Sequence, residues 1–212
     1  MSELPHRYLQ ATPLYEAIAG ELATSGWGIF AHALENRLAN SLNVQARALE
    51  SGEAAGVGRQ TDHQRNRFVR TDRIASINGT APAERAWLAW AEGLRIYLNR
   101  TLMLGLAHFE SHFAHYSPGS FYRRHLDAFK GDSNRTLSVV FYLNPEWQPG
   151  HGGELVLYDN TNLELGRFPP TLGTLAVYLS EVFPHEVLLT ESERFSIAGW
   201  FRPRAELPLE NL

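Results

Sequence analysis

The chain has 212 residues, a formal net charge of −4 and no cysteine. Mild acidity disfavours nucleic acid or an anionic membrane as the main partner. The lack of thiols excludes disulfides, iron–sulfur clusters, zinc-thiolate sites and cysteine nucleophiles, so any metal must be held by His, Asp or Glu.

The first ten residues carry Glu3, Pro5, His6 and Arg7 and no apolar core of signal-peptide length. No later run approaches the apolar length of a membrane span. A soluble, cytoplasmic protein without a membrane partner is expected. Its length suits a single domain over 1–212, with a helical support over about 1–105 and a β core over about 106–204.

Thr12-Pro13 reads as an N-cap and first-turn proline, followed by Leu14, Ile18 and Leu22 at helical spacing. Gly26 ends that helix, and Trp27 to Phe30 suits a short strand. Leu34, Leu38, Leu42, Gln45 and Leu49 mark a second helix. From 51 to 79 the chain is rich in Gly, Gln, Asn and Arg, and reads as a mobile connection, either a lid or a solvated loop. A third helix begins near Pro82 and carries Trp87, Trp90, Leu94, Tyr97 and Leu98 on one face, a core face packed on a sheet.

From about residue 109 the pattern changes to short runs at 109–116, 136–143, 154–158, 174–179, 186–189 and 195–201, separated by Gly and Pro turns. Many short strands argue for a sandwich or barrel. The expected fold is mainly β with flanking helices (α+β), a jelly roll with helices on one outer face.

His125-Leu126-Asp127 is the segment with chemistry in it. On a strand, residues two apart face the same side, so both side chains could reach one ion. His185, after Pro184 and at the start of an apolar run, adds a third ligand. Two histidines and one carboxylate on one side of a metal leave the opposite side open, the arrangement of non-haem Fe(II) oxygenases. Arg194 opens the run Arg194-Phe195-Ser196-Ile197-Ala198-Gly199-Trp200. A guanidinium in such an apolar strand needs a partner, either a protein carboxylate or the carboxylate of a bound dicarboxylate. His108, His112 and His115 form a rival cluster, but Glu110 is misplaced for a metalloprotease motif, and on a strand the three do not converge. His151, Asp132 and Asp159 read as turn residues.

In order along the chain stand His115-Tyr116-Ser117-Pro118-Gly119, Tyr122-x-x-His125-x-Asp127, Phe141-Tyr142-Leu143-Asn144, Gly152-Gly153-Glu154-Leu155, Pro184-His185-Glu186-Val187 and the run from Arg194 to Trp200. Over roughly 65–203 this succession resembles the prolyl 4-hydroxylase group of Fe(II)/2-oxoglutarate dioxygenases, in particular the hypoxia-sensing type and its bacterial relatives. Val69-Arg70-Thr71-Asp72-Arg73-Ile74 is similar to the family's loop that closes over substrate.

The resemblance implies a double-stranded β-helix core. It implies Fe(II) on His125, Asp127 and His185, with 2-oxoglutarate and O2 as co-substrates and ascorbate as a reductant. It places the distal carboxylate of 2-oxoglutarate on Arg194 and Tyr142, with Tyr116 in the same pocket. It assigns Tyr122, Trp200, Arg70 and Asp72 to the substrate pocket, and a proline-containing protein or peptide as partner, without specifying an oligomeric state. Ala198 departs from the hydroxyl residue of the hypoxia-sensing relatives. Two other readings stay open on the residues: the same chemistry on a small metabolite or other non-prolyl substrate, and a non-catalytic jelly-roll metal-binding protein.

Overall fold

The computed structural model describes residues 13–51, 72–128 and 135–204, without the side chains of 49–51. Thr12, Arg70 and Asp132 lie outside the described residues. In chain order the elements are α1 (Pro13–Thr24), β1 (Trp27–Phe30), α2 (Asn36–Ser51), β2 (Arg73–Ser76), α3 (Pro82–Leu102), β3 (Leu106–Tyr116), β4 (Tyr122–His125), β5 (Leu137–Tyr142), β6 (Leu155–Tyr158), β7 (Glu164–Phe168), β8 (Leu175–Leu179), β9 (His185–Val187) and β10 (Arg194–Pro203).

The helices start and stop where local chemistry dictates. Pro82 occupies the first turn of α3, where its missing N–H costs nothing. Ala81 cannot cap that helix with its side chain, and Glu84 in the first turn instead ties the preceding loop to it. Its buried carboxylate accepts from the backbone N–H groups of Asn78 and Thr80 at 3.2 and 3.0 Å, and from the Gln45 amide on α2. At the other end Met103 takes a left-handed conformation and returns its N–H to Asn99. Asn99 then bonds Leu106 through both backbone groups, which fixes the angle at which β3 leaves the helix.

Among the described residues ten strands form two facing antiparallel sheets, the jelly roll expected. The major sheet runs β1-β8-β5-β10-β3-β2 and the minor sheet β4-β9-β6-β7. Strand alternation gives the major sheet two different faces. Leu137, Val139, Phe141, Leu175, Val177, Phe195, Ile197 and Phe201 turn outward into the main core with the three helices. Tyr142, Ala176 and Tyr178 turn inward and pack with Leu155 and Leu157 of the minor sheet.

Two strands differ from the sequence expectation. Arg73–Ser76, expected as loop, pairs antiparallel with β3 as β2. Glu164–Phe168, not expected as a strand, pairs with β6 as β7. Both are short edge strands, and each is made by the free edge beside it rather than by its own composition. The remaining strands fall within about three residues of expectation at each end, the usual scatter of element boundaries.

Trp87 anchors the helical layer. It is fully buried, stacks with Trp90 at 5.0 Å and Phe141 at 5.7 Å between centroids, and donates its indole N–H to Ser111 at 3.1 Å. Trp87→Ala is expected to destabilise the fold by about 3–5 kcal/mol. Denaturant midpoints at unchanged slope would measure this.

Candidate active site

β4 is four residues long and, among the described residues, pairs only with β9, at the edge of the minor sheet. Its register slips between Tyr122, opposite Val187, and His125, opposite His185. Such an irregularity can turn residues three apart toward one face. Tyr122 and His125 accordingly stack with ring centroids 3.7 Å apart. The pairing also sets the two imidazoles across from each other, 4.3 Å between centroids.

Asp127 is not on the strand, which corrects the expectation that strand alternation aligns it with His125. β4 ends at His125, and the turn that follows swings the carboxylate back. Its Oδ1 lies 3.6 Å from His125 Nε2 and its Oδ2 3.6 Å from His185 Nε2. One donor atom from each of the three residues lies within 4.8 Å of the others.

The hydrogen bonds around these groups define their protonation. His125 Nδ1 is 2.8 Å from the carbonyl of Arg123, and His185 Nδ1 is 3.2 Å from that of Phe183. A carbonyl only accepts, so Nδ1 carries a proton in each ring and Nε2 is the atom that faces Asp127. Burial works to raise the Asp127 carboxyl, but the imidazoles of His185 and His125, the Ser138 hydroxyl and the Trp200 indole together hold it well below the usual carboxylate range. Burial pushes His185 down, against the pull of Asp127. One nitrogen of each imidazole and the carboxylate oxygens therefore converge on one point. That donor set fits a divalent cation, and its nitrogen and oxygen chemistry suits Fe(II).

Behind the carboxylate stand residues the sequence reading did not single out. Ser138 donates to Asp127 Oδ2 at 2.7 Å and shares a hydroxyl contact of 2.8 Å with Ser180; the Tyr178 hydroxyl reaches the same oxygen at 3.4 Å. A lone polar residue within the apolar strand Leu137–Tyr142 was the available signal for Ser138.

Arg194 is fully buried on the inner face of β10. Its Nε donates to the Gly153 carbonyl at 2.8 Å and Nη1 to Ser196 at 3.3 Å; the guanidinium lies 4.9 Å from the Tyr116 ring and 5.3 Å from that of Tyr142. Among the described residues no carboxylate pairs with it, so the protein-ion-pair alternative fails. The Tyr142 hydroxyl is buried beside it without a hydrogen-bond partner, and burial pushes this phenol up to about 12 while the Arg194 charge pulls the other way. A buried cation and an unused O–H donor, side by side, are complementary to a carboxylate.

A cavity of about 380 Å³ joins these features. Its lining includes Tyr116, Arg194 and Ser196, the triad, Tyr122, Asp72, Trp200, Glu110 and Arg135. Tyr142 lies against the guanidinium rather than in that lining. Trp200 is sandwiched between His112, 5.2 Å away, and the Arg135 guanidinium, 3.9 Å away, and its buried indole N–H has no full hydrogen bond. Of the expected pocket residues, only Arg70 lies outside the described part. The rival histidines do not converge: His112 faces the cavity, whereas His115 faces outward, stacked on Phe195 at 4.5 Å and bonded to Glu193. His151 and Asp159 are turn residues, as expected.

The sequence profile of the 2OG-Fe(II) oxygenase superfamily matches residues 111–202. The crystal structure of a Pseudomonas putida prolyl-4-hydroxylase is 41% identical, with 90% of this chain and 100% of that one covered and a TM-score of 0.80. This chain belongs to the 2OG-Fe(II) oxygenases. A Trichoplax adhaerens prolyl hydroxylase, in complex with a hypoxia inducible factor oxygen degradation domain peptide fragment, is 26% identical to the oxygenase over 94% of this chain and 93% of that one, with a TM-score of 0.78. A prolyl 4-hydroxylase from Phytophthora capsici, 18% identical over 98% of this chain and 69% of that one at a TM-score of 0.72, shares the fold. Family membership brings Fe(II), 2-oxoglutarate and O2 as the cofactor and co-substrates of the oxygenase.

The protonation states carry a pH signature. With Asp127 ionised throughout the neutral range, protons compete with metal at the imidazoles, not at the carboxylate. Co(II) affinity of the oxygenase should stay level from pH 8 to 7 and fall once the pH is low enough to protonate His185. Because burial lowers the His185 pKa, its share of that fall should come at lower pH than for a free imidazole. A Co(II) titration series across pH measures this; a loss confined to the carboxylate range would contradict it.

Proposed function

We propose that this oxygenase hydroxylates a prolyl residue of a protein or peptide. In this reading His125, Asp127 and His185 hold Fe(II), and Arg194 with Tyr142 holds the distal carboxylate of 2-oxoglutarate. The observation that carries it is the fully buried Arg194 charge, unpaired by any described carboxylate, in a chain 41% identical to a prolyl-4-hydroxylase.

Iron with 2-oxoglutarate and O2 supplies the oxidant for C–H hydroxylation, with release of succinate and CO2. The chain's own residues bind, orient and shield. Arg194 neutralises one carboxylate of the co-substrate in a fixed plane, set by Gly153 and Ser196. The Tyr142 hydroxyl donates to the same carboxylate, and its raised pKa keeps the donor proton in place. Ser138 and Tyr178 hold the Asp127 carboxylate while the imidazoles are held by backbone carbonyls. Tyr122 and Trp200 wall the cavity with aromatic surface, which suits an apolar prolyl ring and excludes water from the reacting bond. Asp72, at the same mouth, and Arg70 belong to the substrate side of the proposal, as do ascorbate as reductant and a cytoplasmic setting.

Incubation with Fe(II), 2-oxoglutarate and a proline-containing peptide mixture is expected to yield succinate and peptides that gain one oxygen at proline. Absence of succinate together with absence of Fe(II)-dependent 2-oxoglutarate binding would overturn the reading, whereas succinate coupled to a non-prolyl substrate would overturn only its prolyl part. His185→Ala is expected to abolish metal binding. Arg194→Ala should weaken 2-oxoglutarate by about 100-fold, the scale of a lost buried charge pair, and leave Co(II) affinity intact.

Gly153→Ala gives a subtler version of the same test. The residue has φ +68°, and a Cβ there would meet Arg194 Cδ at 3.0 Å and Thr190 Cβ at 3.1 Å. It should weaken 2-oxoglutarate by about tenfold, the effect of displacing rather than deleting the guanidinium. Equal loss of metal in the Arg194 and Gly153 variants, read by calorimetry, would reassign both to structure.

A further inference from the structure

On the outer face of the minor sheet, away from the cavity, three side chains from three adjacent strands meet. Arg124 precedes His125 on β4, Glu186 follows His185 on β9, and Tyr158 closes β6. The Tyr158 hydroxyl donates to Glu186 Oε1. Arg124 lies with its guanidinium 3.4 Å from the centre of the Tyr158 ring and 3.7 Å from the same Glu186 oxygen. Its Nη1 donates to Asn162 Oδ1 at 3.3 Å, in the turn between β6 and β7.

The geometry points to Arg124, Glu186 and Tyr158 as a clamp that positions His125 for the metal. This inference rests on the assignment of His125 and His185 as ligands. β9 is paired on both sides, with β4 and β6, so His185 is held by the sheet itself. Among the described residues β4 has one neighbour and an interrupted register, so the backbone ladder holds His125 from one side alone. Arg124 is the residue immediately before it, and its side-chain contacts with Tyr158, Glu186 and Asn162 reach β6, β9 and the β6–β7 turn. A partly exposed ion pair at this distance adds little stability by itself. The stack on Tyr158 and the charge-assisted hydroxyl bond constrain direction, which is what a ligand-bearing strand needs. Arg124 and Glu186 are thus positioning residues; neither reaches the cavity lining.

The test is Co(II) binding by the full chain without 2-oxoglutarate, read as affinity and as the Co(II) visible spectrum, beside the melting temperature of the metal-free protein. Wild type must bind and His185→Ala must not; failure there overturns the ligand assignment rather than the clamp. Arg124→Met and Glu186→Gln are expected to weaken Co(II) by about tenfold, the scale set by groups that orient metal ligands, and to alter the spectrum. Melting of the metal-free protein should move by only a few degrees, and Arg124→Lys should recover part of the affinity. Tyr158→Phe removes one hydroxyl without disturbing the fold and should shift affinity in the same direction by less; it decides the matter where Arg124→Met does not fold. Unchanged affinity and spectrum in Tyr158→Phe and in whichever other variant folds would overturn the clamp. So would a loss of affinity that merely tracks a loss of melting temperature.

Discussion

Strand alternation in the major sheet makes the hydrophobic core and the active site two faces of one object. On β5, Leu137, Val139 and Phe141 are fully buried against the helices, while Ser138, Val140 and Tyr142 turn toward the cavity or the residues around it. On β10, Phe195, Ile197 and Phe201 face the helices, and Arg194, Ser196, Ala198 and Trp200 face inward. The two strands are locked at Ser196 opposite Tyr142 and Ala198 opposite Val140. A slip of one residue in β10 would drive Arg194 into the helical core and Phe195 into the cavity, and one in β5 would exchange Tyr142 with Phe141. Every apolar contact made by Trp87 and its neighbours on the helix side therefore also fixes the chemistry on the other side. The register needs no specification from the site itself, and the site is free to be polar.

That freedom shows as a local cost. The cavity end around Arg194 concentrates groups that ordinary protein interiors avoid: a buried cation that no described carboxylate pairs, the unpartnered hydroxyl of Tyr142, the buried indole N–H of Trp200 without a full hydrogen bond and the converging imidazole and carboxylate groups of His125, Asp127 and His185. Each costs free energy in the chain alone. A core built from three helices on a six-stranded sheet can carry that cost. The groups share a common direction, since a metal ion and a dicarboxylate together would satisfy the converging imidazole and carboxylate groups, the guanidinium and the phenol. Ligands that satisfy the folded state alone also stabilise it, so loading the site and tightening the fold are one process.

The sequence was most legible where one physical signal dominates. Helical spacing with Pro82 and Gly26 located the helices, because apolar periodicity and stop signals are local. The ordered succession of His125, Asp127, His185 and Arg194 exposed the candidate site, because those residue types are rare partners for one another outside metal and anion chemistry. What stayed hidden depends on neighbours distant in sequence. β2 and β7 exist because β3 and β6 offer them free edges, and Arg73-Ile74-Ala75-Ser76 alone carries no strand signature. The role of Ser138 is invisible until folding brings it to Asp127, 11 residues back. Asp127 itself shows how a correct grouping can rest on the wrong geometry. The expected strand parity does not align it with His125; the turn after β4 does, and a turn leaves the carboxylate free to reach both imidazoles at the same 3.6 Å.

The two sheets divide the labour unequally. Helical contacts go to β1, β3, β5, β8 and β10, all in the major sheet, which carries Arg194. The histidines stand on the minor sheet, whose outer face is braced instead by polar side chains such as Arg124, Tyr158 and Glu186. A rigid co-substrate cradle beside a lighter metal face has a physical consequence. The guanidinium must be placed before anything binds, because a long buried side chain that moved would meet the core. The ligand strands can be less fixed, because a cation drawn to three converging donors contributes its own binding free energy to closing them. In the proposed assignment an ion held by β4, its following turn and β9 ties the edge of the minor sheet, and the metal centre becomes part of the structure it depends on.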